Sequence, residues 1–303
     1  MKKNKIIKRS VIALIALLIT AVFAISYFVS WKLISPEREK ITSNPKKEIG
    51  LDYEDISFMS EGNKIKAWYI PAKENRFTLV YSHGYSSNRE KSSVSTYNLA
   101  PIIHKMGGNF LSYDFSGEGK SEGKTVTVGY REQEDLKNAI KEAHKKSKSP
   151  VFLYGLSMGA ATTSIVAGNS NNIAGAICDS PFSNLRSYLE SNLEVWSGLP
   201  KYPFQPIILN MEEKIAGVKL DKVAPQNSVK KLKVPMLIIH GKGDEKIPYT
   251  ESIKIAENNK KMIQLKLFEN KGHCKSLESN RDEYINLITN FINSNLNNTN
   301  KAQ

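Results

Sequence analysis

The chain has 303 residues, of which 40% are hydrophobic and 24% are charged, and a formal net charge of +13. This composition is typical of a globular protein that can bury a sizeable core. The lysines are spread over the whole chain without a compact basic block, so the sequence predicts no nucleic-acid partner. The two cysteines, Cys178 and Cys274, exclude a disulfide framework.

The N-terminal segment predicts a membrane anchor. A leader at 1–10 carries five basic residues and no acid, and the 21 residues at 11–31 carry no charge. A helix of that length can cross the hydrocarbon core of a bilayer. Because the leader is basic, it is expected to stay in the cytoplasm, with the rest of a single-pass protein outside the cell membrane. Secretion after signal-peptide cleavage is the alternative, since Ala21, Ala24 and Ser26 are small.

The rest of the chain predicts one α/β domain. Residues 32–50 predict a linker, 51–293 the domain and 294–303 a tail. Helices are expected at 130–147 and 282–292 because apolar residues there recur at helical spacing. Eight short apolar runs bounded by turn residues predict strands at 53–60, 64–70, 77–82, 109–114, 151–155, 173–179, 234–240 and 263–269.

The order of these elements predicts a mostly parallel eight-stranded sheet. Two opening strands are followed by alternating strands and helices, which favours a sheet covered by helices on both faces. Residues from about 182 to 229 interrupt the alternation and are rich in proline, aromatic and aliphatic residues. This region predicts a cap inserted over one end of the sheet.

A nucleophile pattern lies in Gly155-Leu156-Ser157-Met158-Gly159, which follows a strand and precedes a plausible helix. A G-x-S-x-G sequence in this setting predicts a sharp turn that projects the serine hydroxyl above the carboxyl ends of the strands. Glycine is expected at both flanking positions because side chains there would clash. Ser157 is therefore the candidate nucleophile.

A serine nucleophile needs a base, and the chain offers five histidines. His273 follows the last strand on a glycine-containing loop, so we expect it to be the base. Sequence context gives the other four different expectations. They are a loop-holding role for His83, a structural role for His104, a solvated position for His144 and a turn-shaping role for His240.

The base needs an acid that fixes its tautomer. Asp244 follows the seventh predicted strand, and the chain order Ser157, Asp244, His273 is the one that accompanies this kind of turn. Asp179, which ends the preceding strand, is the competitor, with a helix cap as its other expected role. Glu245 is a second alternative, adjacent to Asp244.

Two loops complete the predicted site. The turn at Gly84 is expected to point the N–H of Tyr85 at the same space as the N–H of Met158, which predicts an oxyanion hole with two donors. The loop at 113–123 contains Gly117, Gly119 and Gly123, but no nucleotide fingerprint surrounds them. A rigid turn ordered by Asp114 is the favoured interpretation, with phosphate binding as the alternative.

These motifs together resemble the α/β-hydrolase superfamily, in particular its lipase/esterase and serine-aminopeptidase-like branch with membrane-anchored bacterial members. The resemblance covers about residues 52–293. It implies the α/β-hydrolase fold with a helical cap, and roles for Ser157 as nucleophile, His273 as base and Asp244 as orienting acid. The chain departs from relatives in having Ser116 and Glu118 where arginine and histidine are frequent.

The expected activity is hydrolysis of carboxylic esters through an acyl-enzyme, without a metal or organic cofactor. The aromatic and aliphatic cap favours an acyl ester as substrate. A peptidase or thioesterase using the same three residues is the alternative, and a non-catalytic surface binding module is a third reading. The sequence carries no information on oligomeric state.

Overall fold

The structure, a computed structural model, describes residues 2–301 and is built around one eight-stranded sheet. The strands lie in the order β1-β2-β4-β3-β5-β6-β7-β8. β2 pairs antiparallel with both β1 and β4, and the remaining pairs are parallel. The strand bounds are β1 Glu54–Ser60, β2 Asn63–Ile70, β3 Phe77–Ser82, β4 Gly108–Tyr113, β5 Val151–Leu156, β6 Gly175–Asp179, β7 Met236–Gly243 and β8 Ile263–Lys271.

The predicted α/β fold with a mostly parallel sheet is confirmed, and each predicted strand overlaps an observed one. The largest difference is at the end of β7, which runs three residues past its predicted end at 240, and β8 runs two residues past its predicted end at 269. The two strands continue to pair there through an irregularity between Gly241 and Gly243. This extension positions the loops that follow both strands.

Helices cover both faces of the sheet, and a group of helices lies between β6 and β7. The helix bounds in the described residues are α1 Lys2–Ile34, α2 Pro45–Ile49, α3 Thr96–Lys105, α4 Glu132–Lys146, α5 Met158–Gly168, α6 Leu185–Ser197, α7 Lys201–Ala216, α8 Pro225–Ser228, α9 Thr250–Glu257, α10 Ser276–Ser279 and α11 Arg281–Lys301. The region predicted as a cap at 182–229 contains α6, α7, α8 and short 3-10 turns.

The central strands are buried on both sides, which explains why they read as continuous apolar runs. Every residue of β3, β4, β5 and β6 is buried. One face packs against α4, α5 and α9, and the other against α3, α10 and α11. Burial of an aliphatic side chain contributes about 1.5–3 kcal/mol, so these two layers supply the main favourable term in folding.

The first helix is longer than predicted and its C-terminal end packs on the domain. The apolar side chains of its first six turns are exposed, as with Ile6 at 63% and Leu17 at 65%. By contrast, Ser26, Ser30 and Ile34 are buried, at a spacing of four residues along one face. The Ser30 hydroxyl lies 3.4 Å from the carbonyl oxygen of Ile208, in α7.

The segments predicted as linker and tail are both in contact with the domain. The guanidinium of Arg38 donates hydrogen bonds to backbone carbonyls of the loop at 119–123. The backbone N–H and hydroxyl of Thr42 donate to the carboxylate of Glu90. At the other end, α11 continues past residue 293 and buries Leu296.

Candidate active site

Ser157 lies at a tight turn between the end of β5 and the start of α5. Its backbone has φ 54° and ψ −115°, a conformation that non-glycine residues rarely adopt. A Cβ at Gly155 would lie 2.2 Å from the carbonyl oxygen of Gly159, and one at Gly159 would lie 2.3 Å from that of Ser82. These contacts explain why both flanking residues are glycine. The N–H of Ser157 is held by the carbonyl of Asp179 at 2.8 Å.

His273 lies between Ser157 and Asp244. Its Nε2 is 2.8 Å from the Ser157 Oγ, and its Nδ1 is 2.7 Å from Oδ2 of Asp244. The ring sits on the loop between β8 and α10, and Asp244 directly follows β7. Because β7 and β8 are parallel neighbours, both loops emerge at the same edge of the sheet as Ser157. The structure thus brings together three side chains that are separated by 116 and 29 residues in sequence.

The hydrogen bonds define the tautomer of His273. An ionised carboxylate only accepts, so Nδ1 carries the ring hydrogen and Nε2 is free to accept the proton of Ser157. Burial alone would raise the pKa of Asp244, but hydrogen bonds from His240 and His273 hold it well below its usual range. Oδ1 of Asp244 also accepts the backbone N–H groups of Lys246 and Ile247, both at 2.9 Å. The carboxylate is therefore fixed and ionised.

His240 also contacts the carboxylate of Asp244, a role that the sequence did not predict. Its Nε2 lies 2.9 Å from the carbonyl oxygen of Ile247 and 3.2 Å from Oδ2 of Asp244, which makes Nε2 the protonated nitrogen. Its Nδ1 accepts the hydroxyl of Ser252 at 2.7 Å. His240 is fully buried, lies within β7 and contacts the loop that follows this strand.

The alternative acids are not in contact with His273. Asp179 is fully buried, and its carboxylate accepts the hydroxyls of Tyr284 at 2.7 Å and Ser180 at 2.9 Å. This role differs from the helix cap expected for it. Glu245 is exposed. Of the three candidate acids, Asp244 alone is hydrogen-bonded to the ring within the described chain.

The remaining histidines lie away from this array. His83 is fully buried; its Nδ1 donates to the carbonyl of Gly84 at 2.7 Å and its Nε2 accepts the N–H of Phe115 at 3.1 Å. Burial lowers its pKa, so the ring is neutral and holds the loop. His104 lies on α3, and His144 contacts the carbonyl of Asn172 at the exposed end of α4.

The structure places Tyr85 and Met158 beside Ser157. All three line the same cavity, and a Cβ at Gly84 would lie 3.5 Å from the Cβ of Ser157. Met158 is the first residue of α5, whose N-terminus carries partial positive charge. Within residues 2–301, neither backbone N–H of this pair donates a hydrogen bond. Both N–H groups are therefore without a protein partner in this part of the chain.

The glycine-containing loop after β4 is a rigid turn that supports the loop carrying Tyr85. The carboxylate of Asp114 accepts the N–H groups of Arg89 and Lys120, both at 2.8 Å. The buried carboxylate of Glu118 accepts the N–H groups of Ser86 and, at 3.4 Å, Ser87. Glu118 thus anchors the residues directly after Tyr85.

A cavity opens beside Ser157 and is lined almost entirely by apolar side chains. The loop at 126–128, the cap and Ile247 supply most of its wall. Among the described lining residues, Glu212 has the only carboxyl group. The cap residues that line the cavity are Phe182, Leu185, Tyr188, Leu189, Leu193, Trp196, Glu212, Ala216, Val218 and Leu220.

The end of α1 also forms part of the cavity wall, through Leu33 and Ile34. The last carbonyls of a helix lack partners within the helix. Here the carbonyl of Leu33 accepts the hydroxyl of Tyr85 at 2.5 Å, and that of Ile34 accepts the N–H of Val126 at 2.7 Å. The helix that contains the predicted anchor at 11–31 is thus hydrogen-bonded at its C-terminal end to Tyr85, which lines the cavity with Ser157.

No group of three or more His, Cys, Asp or Glu side chains in the described part of the chain is arranged to hold a metal ion.

The sheet order, the serine turn after β5 and the cap before β7 make this chain an α/β hydrolase. Within that superfamily the chain belongs to the prolyl oligopeptidase family, peptidase S9, whose family model matches residues 97–299. The match includes the three residues that meet at the sheet edge, and it covers about two thirds of the chain. Membership makes the chain a hydrolase.

Individual proteins are similar to this chain in sequence or in fold. The protein YqkD of Bacillus subtilis strain 168 is 26% identical over 300 residues, which cover 94% of this chain and 97% of that protein. The esterase Pf2001 of Pyrococcus furiosus superposes with a TM-score of 0.73 at 25% identity, over 87% of this chain and 98% of its own. The acylaminoacyl peptidase of Pyrococcus horikoshii shares the fold, with a TM-score of 0.65, 18% identity and coverage of 84% and 44%.

Proposed function

We propose that the protein is a serine hydrolase that cleaves carboxylic esters through an acyl-enzyme on Ser157. The observation that carries the proposal is the 2.8 Å contact between the Ser157 Oγ and Nε2 of His273, with Asp244 2.7 Å from the other ring nitrogen. A serine hydroxyl is a weak nucleophile until a neighbouring base takes its proton. In this arrangement His273 is that base and Asp244 holds its tautomer.

The reaction follows from these contacts. The Ser157 Oγ attacks the ester carbonyl carbon while Nε2 of His273 takes the hydroxyl proton. The negative charge that develops on the carbonyl oxygen is stabilised by the N–H groups of Tyr85 and Met158. His273 then gives its proton to the departing alcohol and leaves the acyl group on Ser157. A water molecule, deprotonated by the same ring, attacks this ester, releases the acid and restores the serine.

Two observations favour an acyl ester over a peptide. The cavity beside Ser157 is apolar, which suits an aliphatic or aromatic acyl group and offers few partners for peptide groups. In addition, the esterase Pf2001 aligns over nearly its whole length. The second candidate is a peptidase or thioesterase on the same three residues, and it is supported by the name of the family. A non-catalytic binding module is the third candidate. It would be supported by Ser157 and His273 lying too far apart for a hydrogen bond, whereas here they are in contact.

Substrate comparison separates the first two candidates. We expect p-nitrophenyl alkanoates to be hydrolysed with a kcat/KM at least about tenfold above that of aminoacyl p-nitroanilides, because the apolar wall binds alkyl groups in preference to charged ones. Acyl thioesters of the same chain lengths complete the series. Faster cleavage of the anilides, or of the thioesters, would assign the site to the second candidate.

We further propose that α1 anchors the protein in the cell membrane and that the hydrolase domain lies outside. Among the described residues, α1 is the helix long and apolar enough to cross a membrane. Its exposed side chains from Ile6 to Phe28 are aliphatic and aromatic in large part, a surface that water does not favour. Since Leu33 and Ile34 follow this stretch directly, the cavity lies close to the membrane surface. A membrane-derived acyl ester would suit that position.

The anchor proposal predicts the mass of the mature protein. We expect cell fractionation to recover the protein in membranes washed with high salt, with an intact mass that includes the leader and α1. The reason is that 21 uncharged residues exceed the usual apolar stretch of about 7–15 residues in a cleaved signal peptide. Recovery of a soluble form that begins between residues 21 and 27 would show cleavage instead.

A further inference from the structure

Glu212 is a buried carboxyl group in the wall of the apolar cavity. It lies on α7, is 6% exposed and lines the same cavity as Ser157. Within the described residues, its side chain has no hydrogen bond and no ion pair. Its sequence neighbour Glu213, by contrast, is bound by Arg186 and by the N–H of Leu220.

An unpartnered carboxyl group in an apolar wall is costly for the fold. Burial without a compensating hydrogen bond disfavours a polar group, and disfavours its ionised form most. In agreement, burial raises the pKa of Glu212 to about 8, with no nearby charge contributing. The group is therefore neutral near pH 7 and able both to donate and to accept a hydrogen bond. Neither carboxyl oxygen of Glu212 is fully enclosed by the protein, so a ligand in the cavity can reach the group.

The position of Glu212 can be related to the end of α1. Tyr85 lines the cavity together with Ser157, and its hydroxyl donates to a carbonyl in the last turn of α1. That turn packs against α7, because Ile34 lies in one apolar cluster with Ala216. Glu212 precedes Ala216 by one helical turn, so it belongs to the part of the cavity wall next to the end of α1.

We propose that the cavity takes acyl chains that carry a hydroxyl group away from the ester, and that Glu212 binds this hydroxyl. The inference rests on the proposed esterase function and names the substrate class of the same site. The acyl chain fills the apolar part of the cavity, while the hydroxyl donates to one oxygen of Glu212 and accepts the proton of the other. A hydroxyl fits better than an ammonium group, because no other described lining residue carries a charge that would help to solvate an ion pair.

The test compares three series of p-nitrophenyl esters with the full-length protein in detergent: alkanoates, ω-hydroxyalkanoates and ω-aminoalkanoates of matched chain lengths. With wild-type protein we expect the ω-hydroxy ester to exceed the plain ester in kcat/KM by about tenfold at one chain length, since one well-placed hydrogen bond accounts for that factor. In the Glu212→Leu protein the preference is expected to disappear at that length. The Glu212→Gln protein should retain part of it, because the amide still forms hydrogen bonds.

The matched control is Glu194→Gln, the same change at an exposed glutamate of the cap, which should leave all ratios as in wild type. The proposal is overturned if wild-type protein prefers plain esters at every length, or if Glu212→Leu leaves the ratio unchanged. A preference for ω-amino esters that Glu212→Gln abolishes would identify a cationic ligand and also overturn it. The wild-type ratios alone decide the matter if the leucine variant does not fold.

A binding measurement keeps this inference separate from the esterase proposal. Calorimetry with the Ser157→Ala protein should show ω-hydroxy fatty acids binding about tenfold more tightly than unsubstituted fatty acids of equal length. Absence of turnover with every ester would overturn the esterase proposal alone. Equal affinities for the two kinds of fatty acid would overturn the Glu212 site, whatever the esters show.

Discussion

Replacement of Ser157 by alanine is expected to lower kcat/KM for p-nitrophenyl alkanoates by about 10³- to 10⁶-fold. The substitution removes the only atom that the arrangement allows to attack the ester carbon, while the two backbone donors and the cavity stay in place. A small residual rate is expected, because binding and oxyanion stabilisation still favour direct attack by water.

The control for this prediction is Ser170→Ala, the same change just beyond the far end of α5, where the hydroxyl only binds the carbonyl of Val166. Both proteins should unfold at a temperature close to that of wild type. A Ser157→Ala protein that keeps more than about a tenth of the wild-type kcat/KM would exclude the acyl-enzyme mechanism.

Replacement of Asp244 by asparagine is expected to lower kcat by about 10⁴-fold. The amide no longer requires Nδ1 of His273 to carry the hydrogen, so Nε2 is no longer free to accept the proton of Ser157. The change also removes the charge that stabilises the imidazolium formed during the reaction. Because the carboxyl shape is kept, the effect should fall on kcat more than on KM.

Asp179→Asn is the matched comparison, since Asp179 is a second buried acid at this edge and lies on the strand adjacent to β7. It should cost stability, through its bonds with Tyr284 and Ser180, and much less activity. The reverse result, with a larger loss of kcat for Asp179→Asn, would assign the orienting role to Asp179. Steady-state kinetics and thermal unfolding of both proteins decide between the two.

The pH dependence of stability gives a further check on Asp244. Its folded-state pKa is depressed, so the carboxylate stabilises the fold fully above its unfolded pKa of about 3.9. This contribution declines as the pH falls below that value. The Asp244→Asn protein should therefore lose less stability than wild type between about pH 4 and pH 2, as measured by denaturant unfolding.

The sequence predicted the strands well for a physical reason. β3 to β6 are buried on both faces, and such strands appear as continuous apolar runs with turn residues at each end. The meeting of Ser157, Asp244 and His273 could likewise be expected, because each follows a parallel strand and all such loops emerge at one edge of the sheet. The ends of β7 and β8 were less predictable, since their pairing continues through an irregularity.

The composition of the cavity wall could not be predicted from the sequence. The segment at 11–31 is uniformly apolar, so its pattern does not show which face packs against protein. Only the small residues Ser26 and Ser30, four apart, hinted at a packed face. Which cap residue faces Ser157 depends on how α7 lies against α1, and for that reason Glu212 did not stand out.

The residues that hold the parts of the site in place were also not predicted from the sequence. His240 lies in β7 and holds Asp244, four residues further on, while Glu118 lies in the loop after β4 and holds the distant Ser86. The sequence predicted a turn-shaping role for His240, yet it contained no signal for which group either residue holds.

Labelling with a fluorophosphonate is the most direct test of the central claim, that His273 and Asp244 make the Ser157 hydroxyl reactive. The predicted result is one adduct per chain in folded protein, mapped to the peptide that contains Ser157, and no adduct in the Ser157→Ala or heat-unfolded protein. A folded wild-type protein that stays unlabelled, or that is labelled at a different serine, would contradict the claim.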